Sequence, residues 1–463
     1  MATQIQTLTP SGASRERGRT HDAFLVILAL AVVINGGVML WLWLRDGGVT
    51  SQLTTFAGVM TSAGRITGLL GAYFALIQVL LLARLPPLER RVGLDRLTVW
   101  HRINGKLVIY LVVAHVVLIT IGYAGTIHIG WLTEFSDFLS SYPGMITATI
   151  GTAMMILVVI SSLVIARRRL PYEAWYGVHL TVYIGIYLAY LHQIPSGNEF
   201  ITSTVQSDWW LSLYIATLVL ILVYRVLLPT LRFVRLDLRV SSVEPAGPNV
   251  TTITITGRHL DSVDAVAGQF MIWRFFCKGL WWQSHPFSLS AAPDGRSLRI
   301  TVKAVGGYTR KLQTVPVGTR VFAEGPFGRF VARGHEHRRV TLIAGGIGVT
   351  PLRAMLEELG DGSDVTFIYR AVNDADLVLR DEIEELAARR GAQLHELVGD
   401  HADPQYADLL AAANLQALAP EIAASDVYLC GPLPMMHHTL ESLAQLGVPK
   451  HQIHWESFAF AVR

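Results

Sequence analysis

Six apolar stretches in the first half of the chain, roughly 22–44, 61–83, 100–123, 145–166, 173–194 and 208–229, are each long enough to cross a bilayer as a helix. They commit residues 22–230 to an all-α transmembrane bundle of six helices. The first stretch is too long for a signal peptide and is followed by Arg45 and Asp46, so it reads as a retained span. Residues 1–21, rich in Ser, Thr and Arg, are expected to form a disordered cytoplasmic tail.

Loop charges set the orientation. Arg15, Arg17 and Arg19 precede the first span, and Arg84, Arg90, Arg91 and Arg96 fill the second connection. Arg167, Arg168 and Arg169 lie in the fourth, and Arg225, Arg232 and Arg235 follow the sixth. The alternate loops carry Asp46, Glu134, Asp137, Glu199 and Asp208 with little basic charge. Positive-inside reasoning then places both termini in the cytoplasm. The net charge of +3 follows from this topology and makes no case for nucleic-acid binding.

Within the spans stand four histidines, His101 and His115 in the third, His179 and His192 in the fifth. Ionisable residues at such depth are costly and usually functional. Fourteen residues separate the first pair and thirteen the second, which at 1.5 Å per residue is roughly 20 Å along each helix. Both helices run from inside to outside. His101 is therefore level with His179 near the inner face, and His115 with His192 near the outer. Each level offers two axial imidazoles for one iron porphyrin; the competing reading is interfacial or hydrogen-bonded histidines. Fourteen residues return to almost the same helix face but thirteen do not, so the fifth helix must tilt, wind irregularly or approach from different sides. Gly105, Gly177 and Gly185 either leave room for flat macrocycles or serve ordinary helix packing.

This arrangement resembles the ferric reductase and NADPH oxidase superfamily of transmembrane flavocytochromes. The resemblance implies an inner haem b on His101 and His179 and an outer haem b on His115 and His192. Arg65 matches a family arginine near the outer haem. Animal oxidases carry a histidine one turn after the outer ligand of helix three, where this chain has Ile119.

From about residue 235 the pattern changes to short alternating strands such as 250–255 and 298–302, separated by Gly and Pro turns. An antiparallel β-barrel is expected over 235–333. Within it His285-Pro286-Phe287-Ser288 ends a strand, and the Ser288 hydroxyl is suited to bond the N5 edge of a flavin. Lys303-Ala304-Val305-Gly306-Gly307-Tyr308-Thr309 places glycines, a hydroxyl and a cation just before a helix, where backbone N–H groups hold a pyrophosphate. In this order the segments resemble the FAD-binding barrel of ferredoxin reductase-type proteins. The resemblance puts Pro286, Phe287 and Ser288 at the flavin ring or ribityl chain, and Gly307, Tyr308 and Thr309 along the diphosphate and adenine side.

Apolar runs at 339–344, 364–369 and 426–430 alternate with helical segments, the pattern of a parallel α/β sheet over 338–463. The first run enters Gly345-Gly346-Ile347-Gly348-Val349-Thr350-Pro351, with Thr350 as a natural N-cap and Pro351 in the first helical turn. This is not a G-x-G-x-x-G fingerprint, but it is similar to the pyridine-nucleotide motif of the ferredoxin reductase group. Arg370 at the end of the second run leans toward NADPH through a 2′-phosphate, with NADH as the alternative. Cys430-Gly431-Pro432 resembles the family element beside the nicotinamide, and a near-terminal aromatic, Phe458 or else Phe460, is expected over the flavin. With only two cysteines, Cys277 and Cys430, neither a disulfide framework nor a cysteine-held iron–sulfur cluster is available.

The resemblance implies electron flow from cytoplasmic NADPH through FAD and two haems b to an acceptor across the membrane, and Gly- and Arg-rich usage with a cytoplasmic dehydrogenase points to a bacterial cytoplasmic membrane. A ferric chelate is the leading acceptor, dioxygen, reduced to superoxide, is the second, and a quinone or an external redox partner is the third. No regulatory module is apparent, so activity without an obligate protein partner is expected. Two competitors are a non-catalytic membrane haem protein and a soluble-type flavin reductase tethered to lipid.

Overall fold

The structure, a computed structural model, describes residues 12–49, 53–163, 172–332, 338–360, 363–400, 402–406 and 408–456. It divides into two compact units, Met1–Leu228 and Pro229–Arg463.

The first unit is helical: α1 (Gly12–Arg45), α2 (Phe56–Leu81), α3 (Leu94–Ile127), α4 (Trp131–Ser141), α5 (Met145–Ser162), α6 (Tyr172–Leu180), α7 (Val182–Tyr190) and α8 (Thr204–Ile221). A π-helical turn, Leu222–Leu227, then joins α8 to α9 (Leu228–Leu236). Among the described residues, six segments are long and apolar enough to cross a membrane: Ala23–Arg45, Phe56–Leu81, Arg96–Ile127, Met145–Ser162, Ala174–Ser196 and Thr204–Leu236.

Several ends differ from the hydropathy reading. Helix α1 begins at Gly12, inside the segment expected to be a disordered tail. Helix α2 begins at Phe56 rather than 61, since Thr55 caps it by accepting from the Gly58 amide at 3.1 Å. The fifth span is wound irregularly. It breaks at Thr181, whose amide reaches back only three residues to the Val178 carbonyl. That resolves the thirteen-residue spacing, which an unbroken helix would not accommodate.

Helices α2 and α3 are antiparallel and share a seam of small residues. A Cβ on Gly64 would lie 2.7 Å from Ile119, on Gly71 3.3 Å from Val112, on Gly122 2.4 Å from Thr61, and on Gly125 3.1 Å from Ala57. Close backbone approach of this kind drives helix association where no hydrophobic effect operates.

The second unit has two lobes. In the first, β1 (Arg239–Gly247), β2 (Val250–Thr256) and β5 (Ser297–Lys303) form one antiparallel sheet; β3 (Phe270–Phe275), β4 (His285–Ser288) and β6 (Val321–Phe327) form another. Isolated bridges Arg239↔Arg320 and Leu289↔Ile300 join the two sheets at their edges. Alternate residues such as Ile253, Ile255, Trp273, Phe275 and Ile300 fill the space between them. Helix α10 (Gly307–Leu312) follows β5.

The second lobe is a five-stranded parallel sheet in the order β11 (Ile453–Glu456), β10 (Asp426–Cys430), β7 (Arg339–Gly345), β8 (Asp364–Ala371), β9 (Gln393–Val398). Helices α11 (Val349–Glu358) and α12 (Arg380–Arg390) connect its strands, and α13 (Leu433–Gln445) follows β10. On β7, Leu342 and Ala344 enter one core while Ile343 enters the other. Cover on both faces explains why these strands read as unbroken apolar runs.

Candidate functional site

The four intramembrane histidines meet as two pairs. The rings of His101 and His179 have centres 6.0 Å apart at 52°, and those of His115 and His192 are 6.4 Å apart at 37°. Two imidazoles on opposite sides of one metal, with bonds of about 2 Å, place ring centres roughly 6 Å apart. Among the described residues no set of three or more His, Cys, Asp or Glu forms a metal site. An ion here would take two protein ligands and draw the rest from a macrocycle, so the residues fit a haem at each level.

Second contacts fix the rings. His101 Nδ1 lies 3.1 Å from the Gln78 carbonyl, His115 Nδ1 2.7 Å from the Gly64 carbonyl, and His179 Nδ1 3.3 Å from the Ser162 hydroxyl. His192 Nδ1 bonds the Ala189 carbonyl. A carbonyl can only accept, so three of the rings carry their proton on Nδ1. That leaves Nε2 as the lone-pair nitrogen for a metal.

The sequence reading did not find these partners. Gln78 also donates to the His101 carbonyl at 2.9 Å and accepts from Asn104 at 2.8 Å, making a polar knot at the inner pair. Gly68 makes the slot for His115, since a Cβ there would lie 2.5 Å from Nδ1. Gly144 does the same for His192, with its Cβ position 2.7 Å from the histidine Cα. Of the three glycines considered for macrocycle room, only Gly177 faces open space. Gly105 abuts the Gln78 amide, and Gly185 packs on the Gly151 carbonyl. For those two, helix packing is the answer.

In the barrel lobe, Ser288 is buried at the end of β4, and Trp273 donates to the Phe287 carbonyl at 3.1 Å, fixing that strand. Pro286 and Phe287 are half-buried beside it. The His285 ring packs on Tyr308 with centres 3.9 Å apart, which brings the two flavin motifs together. Gly306 and Gly307 face open space. The Thr309 hydroxyl accepts from the amides of Val305 and Gly306 at 2.9 and 3.0 Å, so it holds the turn.

Two buried polar atoms, the Tyr308 hydroxyl and Arg274 Nε, have no hydrogen-bond partner among the described residues. Burial raises the Tyr308 phenol above its ordinary range. Orphaned donors beside open glycines fit a polar ligand such as FAD, and Arg274 was missed by the sequence reading. The Lys303 ammonium, at the end of β5, pairs with Asp376 of the other lobe at 3.1 Å.

In the sheet lobe, the ends of β7 and β10 touch through glycine. A Cβ on Gly348 would lie 2.4 Å from the Cys430 carbonyl, and one on Gly431 3.1 Å from Gly345 Cα. Gly345 itself lies against Pro432 and Met435, and Gly346, at φ +52°, faces open space. Such a crevice at the carboxyl ends of parallel strands is where this class of sheet binds ligands. Thr350 is not the N-cap. Gly348 holds that position, while Thr350 lies inside the first turn beside Pro351 and donates to the Ile347 carbonyl at 3.1 Å.

Cys430 is fully buried, and burial first, then the neighbouring Glu456 carboxylate, pushes its thiol well up. Glu456, missed from sequence, is its register partner on β11. Arg370 stands at the end of β8 as expected, but donates to the carbonyls of Ala371 and, at 3.2 Å, Leu397. Phe458 and Phe460 lie outside the described residues.

The two lobes are clamped together. Glu382 of α12 receives Arg299 of β5 at 2.8 and 3.1 Å and lies 2.9 Å from Arg353 of α11. Arg353 also pairs with Glu357, which accepts from the Ala292 amide at 2.7 Å.

Comparison with known proteins agrees with this organisation. Residues 67–190 match the family described as ferric reductase like transmembrane component, 236–331 an FAD-binding domain, and 342–441 an oxidoreductase NAD-binding domain. A flavohemoprotein of Bordetella pertussis is 33% identical over 215 residues, covering 42% of this chain and 53% of its own. The stachydrine N-demethylase reductase subunit of Rhizobium meliloti is 31% identical over 228 residues, covering 46% and 64%. The FAD/NAD-binding domain of a nitric oxide dioxygenase from Vibrio cholerae is a solved structure 26% identical to this chain. It has a TM-score of 0.39 and covers 48% of this chain and 98% of its own. The chain thus spans 53% of the length of the first relative and 64% of the second. The chain carries a ferric reductase-like transmembrane component ahead of FAD- and NAD-binding domains, an organisation that fits a fusion of the ferric reductase and NADPH oxidase type.

Proposed function

We propose that this protein is a transmembrane oxidoreductase that draws electrons from cytoplasmic NADPH and delivers them to an acceptor across a bacterial cytoplasmic membrane, a ferric chelate first among candidates. The observation that carries the reading is the pairing of four histidines at two levels, with ring centres 6.0 and 6.4 Å apart. The arginine distribution supports cytoplasmic placement of both termini and the dehydrogenase lobes, and the bacterial origin of the relatives supports the setting.

When bound, FAD and two haems b would supply the conversion of a two-electron donor into single electrons. His101 with His179 would hold the inner iron, and His115 with His192 the outer. Six-coordinate sites of this kind suit electron transfer better than ligand binding at the metal. Pro286, Phe287 and Ser288 would position the flavin ring, while Gly306, Gly307, Tyr308 and Arg274 would hold its phosphate side. Gly345, Gly346, Gly348 and Gly431 would let the nicotinamide nucleotide approach the backbone. Cys430, kept as the neutral thiol, would line the transfer site, with Phe458 as the aromatic over the flavin.

Dioxygen is the second acceptor. Arg65 directly follows Gly64, whose carbonyl holds His115, so a cation stands one residue from the outer pair. Against an oxidase-type oxygen pocket, Ile119 packs on Gly64 where oxidases place a histidine.

The test is anaerobic stopped-flow absorbance of the purified protein given NADPH, followed by separate pulses of air and ferric chelate. Haem bands that reduce after the flavin support the reading, and the faster reoxidant names the acceptor. Flavin that bleaches beside absent or unmoved haem bands would sink it in favour of a tethered flavin reductase.

A further inference from the structure

The connection between β3 and β4 carries an aromatic surface that the redox reading does not use. Phe276 is 43% exposed, Trp281 59% and Trp282 46%, while Leu280 between them is buried and roots the loop. Single exposed apolar residues need no explanation, but adjacent exposed tryptophans are a different matter.

The neighbourhood says what covers them. Phe233 lies in α9, within the segment Thr204–Leu236 that is long and apolar enough to cross a membrane. Its ring centre is 5.2 Å from that of Phe276 and 5.8 Å from that of Phe322, and the Arg320 guanidinium sits 4.4 Å above it. Arg232, one residue earlier, donates to the Gly325 carbonyl at 3.2 Å. The loop therefore starts against the last turns of a spanning helix. Leu231 and Val234 on that helix are 54% and 66% exposed, continuing the apolar surface.

We propose that residues 276–283 form a membrane-interface anchor, with Trp281 and Trp282 seated in the lipid headgroup layer beside the end of the sixth span. Indole rings favour this layer because the ring is apolar and its N–H remains wet. Lys278 in the loop and Arg232 and Arg235 on α9 are exposed, and anionic headgroups attract such cations. The anchor rests on the membrane reading alone and holds whatever the acceptor is. It gives the barrel lobe a second point of attachment to the bilayer, besides the chain itself.

The test uses full-length protein in anionic nanodiscs whose lipids are brominated either near the headgroup or deep in the acyl chains. Tryptophan emission of the wild type minus that of W281F/W282F isolates the two rings. Expected is a difference signal quenched more by shallow than by deep bromines and shielded from aqueous iodide. In anionic discs K278E should weaken the shallow quenching, and in zwitterionic discs it should leave it unchanged. A difference signal open to iodide and untouched by bromolipid overturns the anchor. So does one shielded from both, which would mean that protein or bound flavin covers the rings. Equal circular dichroism and melting profiles confirm that the variants fold.

Discussion

His115 Nδ1 stands 2.7 Å from the carbonyl oxygen of Gly64 on the facing helix, and the ring fits only because Gly68, one turn on, has no side chain. Gly68→Ala should therefore displace His115 while leaving His101 in place. Loss of the oriented partner costs about 10–100-fold in metal affinity. Pyridine haemochrome assay should then give about half the wild-type haem per chain, with the flavin content unchanged. Full haem content with an unshifted outer potential would show that the slot is loose.

Glu382 holds Arg299 and Arg353 at once, and Arg353 is only 7% exposed. Glu382→Gln leaves two guanidiniums close together with one fewer compensating charge. The Glu382 side chain is 36% exposed, so the cost falls between the surface and buried limits, about 1–3 kcal/mol. Thermal unfolding of the dehydrogenase lobes should shift down and become more sensitive to salt. A cycle with Arg299→Met measures the coupling; a zero value would mean that the lobes are held by packing alone.

Arg370 donates to two backbone carbonyls, which aims its guanidinium across the end of β8. If it selects the 2′-phosphate, Arg370→Ala raises KM for NADPH about tenfold, a change of 1.4 kcal/mol, and leaves NADH nearly unmoved. Steady-state kinetics with both coenzymes decide. Equal losses for the two would return the arginine to a structural role at the strand end.

Burial raises the Cys430 thiol above its ordinary value of 9.0. Below that pH both folded and unfolded chains keep the proton, and the contribution to stability is complete. As pH rises toward the raised folded value, the unfolded chain loses its proton first and stability declines. Melting temperature measured from pH 8 to 10 should fall less steeply in Cys430→Ala than in the wild type, although the variant starts lower because it leaves a cavity. Parallel curves would show that the thiol titrates alike in both states.

Much of this was legible in the chain. Apolar length marked six spans, and histidine spacing marked two levels, because both depend on rise per residue alone. The glycines of 345–348 were readable as points where a phosphate approaches the backbone closely. What stayed hidden depends on backbone atoms and on contacts between distant segments. The carbonyls of Gln78, Gly64 and Ala189 have no sequence signature, yet they orient three of the four imidazoles. The pairing of Lys303 with Asp376 was not readable because the two lie seventy-three residues apart. For Gly105 and Gly185 the choice between macrocycle room and helix packing stayed open because the helices packed against them could not be seen. The break at Thr181 carries neither proline nor glycine, so the thirteen-residue spacing hinted at an irregular helix without locating where it breaks.

Gln78 and Gly64 are fourteen residues apart on α2, and His101 and His115 are fourteen apart, running the other way, on α3. Each carbonyl meets its histidine through one shared alignment of the two helices. That alignment behaves as a ruler with two marks. A single-residue insertion between Gly64 and Gln78 would leave one mark true and swing the other by about 100°. Sliding the whole helix would spoil both together. A rigid slide of either helix thus disturbs both candidate iron sites together, so single side chains, more than helix shifts, are the route by which such a protein would adjust one level alone.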